Sequence, residues 1–250
     1  MSGHSKWATI KRKKGANDAK RSNTFAKLLR AVEVAAREGG SGDPKANMTL
    51  ASAVEKARSF SVPADNIERA IKRGTGELGD GARYEEITYE GYAPGGIALV
   101  VEALTDNRNR TAQDVRHAFS RNAGNLGETG STRWMFERKG VIVVEKAAAP
   151  DEEGLLELAL EGGADDLRDA ESSWEILTAP QDFKAVEEAL RGAGVPVFSA
   201  EISMMPTTTI PVDGAEAKRV LQLIEALEDL DDVQNVYANF DIPEEVMASL

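Results

Sequence analysis

Cysteine is absent from the 250 residues, and histidine occurs only as His4 and His117. Disulfide frameworks, thiolate nucleophiles and cysteine-based metal sites are therefore excluded. Histidine-based metal sites and proton relays have little to draw on. Aromatic residues make up 6% of the chain. No apolar run reaches the roughly 18 residues that a membrane span needs, and the N-terminus lacks the apolar stretch of a signal peptide. These absences predict a soluble, cytoplasmic protein with no membrane contact, no metal, no cofactor and no small-molecule substrate. No Ser/His/Asp set or carboxylate pair can be assembled from the sequence, so no catalytic residue is assigned and a non-enzymatic role is expected.

Positive charge is scarce as well, except at one end. The formal net charge is −12, yet residues 1–80 hold 16 Lys/Arg against 9 Asp/Glu, while residues 81–250 hold 14 against 33. The basic excess begins with an arm over residues 1–21. There Lys6, Lys11, Arg12, Lys13, Lys14, Lys20 and Arg21 face a single acid, Asp18. Such a stretch repels itself and buries little, so it is expected to order only on a polyanion. Trp7 lies among these cations, and an aromatic ring in a basic run suits stacking on an unpaired base. A basic arm on an acidic body points to nucleic acid, with Lys6, Trp7, Lys11, Arg12, Lys13, Lys14, Lys20 and Arg21 as its contact residues.

Periodicity organises the rest. Phe25, Leu28, Leu29, Val32, Ala35 and Ala36 recur at helical spacing, with Ser22 or Asn23 as N-cap. Asp43-Pro44 reads as the start of a second helix with Leu50, Ala53, Val54 and Ala57 inward. Pro63 opens a third, with Ile67, Ala70 and Ile71 inward and Gly74 as its stop. A glycine-rich stretch over 74–83 reads as a linker. It matches G-x-G-x-x-G by letters, but it follows a helix where the dinucleotide motif follows a strand, so no cofactor site is assigned.

Beyond residue 80 strand and helix signals mix. Strands are predicted over 86–92 and 97–104, then a polar loop, Thr105-Asp106-Asn107-Arg108-Asn109-Arg110-Thr111, then a helix with Val115, Ala118 and Phe119. Two readings fit the loop: Arg108 and Arg110 meet phosphates through their guanidinium forks, or the asparagines only shape a turn. Trp134-Met135-Phe136 and Val141–Val144 flank Lys139-Gly140, which reads as a hairpin. A helix near 155–160, strands near 167 and 174–177, a helix over 180–191 and a strand over 195–202 follow. Residues 207–211 and 233–240 read as strands around a helix at 217–227. The acidic run Glu228-Asp229-Leu230-Asp231-Asp232 reads as a solvated turn. The expected fold class is α+β: a three-helix bundle, then two α+β domains of the ferredoxin-like kind, one of them discontinuous. The expected domains are 1–80, then 81–131 together with 207–250, then 132–206 inserted between them.

Several blocks also resemble the YebC family: Gly3-His4-Ser5-Lys6-Trp7, Asp18-Ala19-Lys20-Arg21, Ala35-Ala36-Arg37-Glu38-Gly39-Gly40, Pro63–Ile71, Tyr89-Glu90-Gly91-Tyr92, Thr105–Thr111 and Trp134-Met135-Phe136. The resemblance is most specific over the first 140 residues. It implies a three-domain architecture and a role in gene expression, either as a DNA-binding transcriptional regulator or as a translation factor. Relatives of the second kind include an activator of cytochrome oxidase subunit I synthesis and factors linked to ribosomes stalled on proline-rich sequences. Ser22-Asn23 departs from the Gly or Lys that relatives often carry there. The favoured partner is the ribosome through rRNA, and duplex DNA is the alternative.

Overall fold

The computed structural model describes residues 18–79, 82–149 and 151–243, and of residues 18–21 the backbone alone. Helices α1 (Asp18–Glu38), α2 (Met48–Ser59) and α3 (Ala64–Gly74) form the N-terminal bundle. Its core holds Leu28, Val32, Ala35, Ala36, Leu50, Val54, Ala57, Ile67 and Ala70, with Phe25, Leu29, Ala53 and Ile71 packed beside it. These are the positions that helical spacing selects.

The helix starts differ from the sequence expectation. Helix α1 is already formed at Asp18, one turn before Ser22, so neither Ser22 nor Asn23 caps it; Ala19, Lys20 and Arg21 are good helix formers. Asp43 closes only a single turn, and α2 starts at Met48 under Asn47. The Asn47 side chain accepts from Leu50 N at 3.0 Å and donates to Ala35 O at 2.8 Å, so one residue caps α2 and ties it to α1. Gly74 marks the crossing of α1 and α3: a Cβ there would lie 2.3 Å from Glu33 O and 2.7 Å from the Ala36 Cβ.

Strands β1 (Glu85–Ala93), β2 (Ile97–Thr105), β3 (Asn125–Leu126) and β9 (Val233–Ala238) form one antiparallel sheet in the order β3-β1-β2-β9. Helices α4 (Arg108–Arg121) and α7 (Gly214–Glu228) cover one face, where Ile97, Leu99 and Val101 meet Val115, Phe119, Val220 and Ile224. The other face is also buried: Ala98, Val100 and Tyr237 pack on Phe136 and Met204 of the second sheet. A strand covered on both faces explains the apolar run Ile97–Val101 of β2. A short parallel pair, β8 (Ile210–Pro211) with β10 (Phe240–Asp241), stands in place of the longer strand expected over 207–211.

The second sheet is built from β4 (Phe136–Glu145), α5 (Glu152–Glu161), β5 (Asp166–Ala170), β6 (Ser173–Thr178), α6 (Phe183–Gly192) and β7 (Val197–Pro206). Its strand order β5-β6-β4-β7, all antiparallel, is the ferredoxin-like arrangement. Lys139-Gly140 is not a hairpin. β4 runs straight through it, pairing Lys139 with Ser203 and Gly140 with Thr178 and Ile202. Glycine stands there because a Cβ would lie 2.3 Å from the Thr178 hydroxyl and 2.8 Å from the Phe183 Cβ.

Candidate nucleic-acid interface

The arm residues Lys6, Trp7, Lys11, Arg12, Lys13 and Lys14 lie outside the described residues. Lys20 and Arg21 fall on the first described turn of α1. Helix α1 is held to the body along one side. Asn23 donates to Asp229 O at 3.0 Å, and Lys27 donates to Glu228 O. Arg30 donates through Nη1 to Leu104 O at 3.1 Å, to Asp231 O at 3.0 Å and to Asp232 Oδ1 at 2.9 Å. Its guanidinium also sits 5.1 Å from the Tyr84 ring centre. Apart from Leu104 O on β2 and the Asp232 carboxylate, the acceptors are carbonyls at the end of α7 and in the turn after it, the negative end of a helix dipole.

Asp229 and Asp231 are exposed, as a solvated turn has them, but the backbone of the turn and the buried Asp232 make it a docking point as well. Asp232 is 5% exposed. Besides Arg30, its carboxylate accepts from Arg110 Nη2 at 2.7 Å, Arg110 Nε at 3.2 Å, Thr111 at 2.8 Å and Thr105 at 3.1 Å. Burial pushes this carboxyl up, but the Arg110 guanidinium and the two hydroxyls outweigh it and hold it below the ordinary carboxylate range. Bundle, β2–α4 loop and α7 turn thus converge on one buried carboxylate.

The same network separates the two loop arginines. Arg110 is bound to Asp232 and also reaches Asp106 Oδ1 at 2.8 Å. The two carboxylates raise its already high pKa, with the Asp232 hydrogen bond first among the causes. Arg108 has one ion pair, to Glu85 at 3.4 Å, between side chains 70% and 60% exposed. Such a pair is weak and yields readily to a phosphate. Asn107 caps α4 by accepting from Arg110 N at 3.1 Å, so the asparagine does shape the turn. Arg116 and Arg121 add exposed cations farther along α4, which the sequence reading passed over although they follow Arg108 on one helix. Arg108→Ala is expected to weaken nucleic-acid binding with little change in melting temperature. Arg110→Ala is expected to lower the melting temperature by several degrees. Thermal scans and a binding titration on both variants check this, and equal melting losses would refute the division.

A second built feature lies on the loop between β3 and β4. Glu90 on β1 is 3% exposed. Its carboxylate accepts backbone N–H groups of Gly130, Thr132 and Arg133, each at 2.7 Å. Burial raises this carboxyl, and the three N–H donors more than reverse the shift, leaving it below its usual value. Tyr92 donates to Ser131 O at 3.0 Å, and Thr132 donates to Leu99 O at 2.8 Å. The loop ends in a 3-10 turn, Arg133–Met135, that presents Trp134 at 72% exposure. A hairpin about Lys139-Gly140 would put Trp134 on a strand; β4 starts only at Phe136.

Among the described residues, no group of three or more His, Asp or Glu side chains could hold a metal ion. No helix among them is long and apolar enough to cross a membrane. A three-helix bundle packed beside two antiparallel sheets with their covering helices defines a protein of the α+β class. The chain belongs to the YebC family: the family model for the TACO1/YebC N-terminal domain matches residues 5–77, and that for the second and third domain matches residues 84–240. A protein of Pelotomaculum thermopropionicum described as a probable transcriptional regulatory protein is 58% identical over 243 residues, covering 97% of this chain and 99% of its own. One of Rubrobacter xylanophilus with the same description is 57% identical, covering 100% and 99%. The crystal structure of a conserved hypothetical protein from Aquifex aeolicus superposes with a TM-score of 0.80 at 48% identity, covering 92% of this chain and 93% of that one.

Proposed function

We propose that the protein is a non-enzymatic, nucleic-acid-binding regulator of gene expression. It docks on the ribosome through rRNA in the cytoplasm and acts on stalled, proline-rich synthesis. The observation that supports this is charge segregation: a basic N-terminal part on a body with 14 Lys/Arg against 33 Asp/Glu. Asn23, Lys27 and Arg30 are committed to the body, so phosphate neutralisation falls to the arm, to Lys20 and Arg21, and to Arg108 with the exposed face of α4. Structured RNA, with irregular surfaces and unstacked bases, rewards a cationic segment that carries an aromatic ring. The link to proline-rich stalling rests on the family resemblance.

Duplex DNA is the second reading, favoured by the description that the relatives carry. The acidic excess of residues 132–206, 16 acids against 7 bases, opposes laying the body along a long duplex. We also divide the chain into 1–80, 81–131 with 207–250, and 132–206. The pairing of β9 with β2 and the separate cores under α4/α7 and α5/α6 support that division.

The test combines ribosome sedimentation with salt titration. The full chain is expected to sediment with ribosomes and to prefer rRNA to duplex DNA. If about six phosphates are neutralised, log K falls against log salt with a slope of roughly −4 to −5. Removing residues 1–17 should reduce that slope to about −1 to −2 and leave α1 intact. Unchanged binding by the shortened chain would exclude the arm. Tight promoter binding without ribosome association would select the DNA reading.

A further inference from the structure

We propose that Trp134 is a fixed stacking platform for one unpaired nucleobase, a contact separate from the basic arm. The inference rests on the nucleic-acid-binding function proposed above and adds a site to it.

The loop over residues 127–135 is built to hold the ring still. Glu90 gathers three of its backbone N–H groups, and Gly127 N donates to Glu90 O at 2.8 Å. Met135 O, on the far side of the ring, accepts from Thr207 N at 2.9 Å and from the Thr207 hydroxyl at 3.1 Å. Burying a carboxylate is costly, and here the burial orders a loop whose largest side chain is left outside. The indole N–H of Trp134 donates to Ser131 O at 3.1 Å. The polar edge of the ring is therefore satisfied within the loop, and what faces outward is flat π surface.

The surroundings select the occupant. Gly127, Glu128, Thr129, Gly130 and Ser131 make the rest of the loop polar, so the loop itself adds no apolar side chain beside the ring. A stable protein interface needs about 800 Å² per partner with an apolar centre. Among the exposed large apolar side chains, Ile202 lies opposite Gly140, four residues along β4 from Phe136. At about 3.3 Å per residue that is roughly 13 Å beyond Phe136, which itself follows Trp134 by two residues. A single ring with both polar needs met matches one base in size and in chemistry. Arg133 beside it is exposed; its Nη1 donates to Phe136 O at 3.3 Å, and its other guanidinium N–H groups can meet the neighbouring phosphate.

The experiment uses the full chain carrying Trp7→Phe. Trp134 then dominates the solvent-sensitive fluorescence, because Trp174 is 8% exposed beneath Lys146. The probes are a 12-nucleotide unstructured RNA and a blunt duplex of equal length, with affinity read by anisotropy. Single-stranded RNA is expected to quench Trp134, and the duplex is expected to bind without quenching. Trp134→Leu should weaken single-strand binding by about 5- to 100-fold and leave duplex binding unchanged, while Trp134→Phe should stay within about 3-fold of the parent. Full single-strand affinity in Trp134→Leu overturns the platform, and so does binding without a fluorescence change. Loss of ribosome sedimentation in that variant at unchanged RNA affinity also overturns it, in favour of a protein contact. If the parent chain binds neither probe, the nucleic-acid reading itself fails, and the platform with it.

Discussion

Asp232→Ala is expected to lower stability by about 3–5 kcal/mol, the usual cost of stranding the partners of a buried carboxylate. For a chain of this size that is a fall of about 6–20 °C in melting temperature. The effect is large because one side chain serves three elements: Arg30 from α1, Arg110 and Thr111 from α4, and Thr105 at the end of β2. Without it two guanidinium groups face each other with no acid between them. Hydrogen exchange in α1 should accelerate over residues 23–30, because the bundle loses its anchor on the α7 turn. Asp232→Asn keeps the shape and loses the charge. Its folded carboxyl titrates below the unfolded value, so the stabilisation is complete above the unfolded pKa and disappears as pH falls through the folded one. The melting gap between wild type and Asp232→Asn should be widest near pH 7 and close below about pH 4. A gap constant with pH would show that packing, not charge, holds the corner.

Glu90→Ala is expected to cost about 2–4 kcal/mol, since it leaves backbone N–H groups of the 127–133 loop without their acceptor. Glu90→Gln should lie between, because one end of the amide presents donors to donors. The same sign applies: this carboxyl is lowered in the folded state, so its contribution is lost on acidification. The second readout is local. Fluorescence anisotropy of Trp134 should drop in Glu90→Ala before any global unfolding, because the ring rides on the loop that Glu90 orders. Unchanged ring mobility would show that Thr207 and Tyr92 suffice to hold the turn.

The α+β class and the three-helix start were legible in the sequence because they rest on periodicity, which is local. The apolar positions of α1 to α3 could be read one by one and recur in the bundle core. What was not legible depends on partners distant in the chain. Asp232 reads as one more acid in an exposed run until Arg30, 202 residues earlier, is seen beside it. Glu90 is an ordinary strand glutamate until residues 130–133 fold over it. Gly140 has the local look of a turn, and only the approach of Thr178 and Phe183 explains it. Trp134 was grouped with its apolar neighbours, and no local rule separates a buried tryptophan from one left in solvent. The arginines of the 105–111 loop were read as a pair. The i,i+4 spacing of Asp106 and Arg110 was the available sign that one of them is occupied.

Helix α1 has a mechanical consequence. Its 21 residues span about 32 Å. The first turn carries Lys20 and Arg21, the middle is pinned at Asn23, Lys27 and Arg30, and the last turns wedge against α3 at Gly74. A rod held at two stations does not peel when pulled at its tip. A load applied at Lys20 is shared among the contacts of Asn23, Lys27 and Arg30 before the helix can leave the body. Tension on the start of the helix is therefore passed to the bundle and to the β-sheet body together.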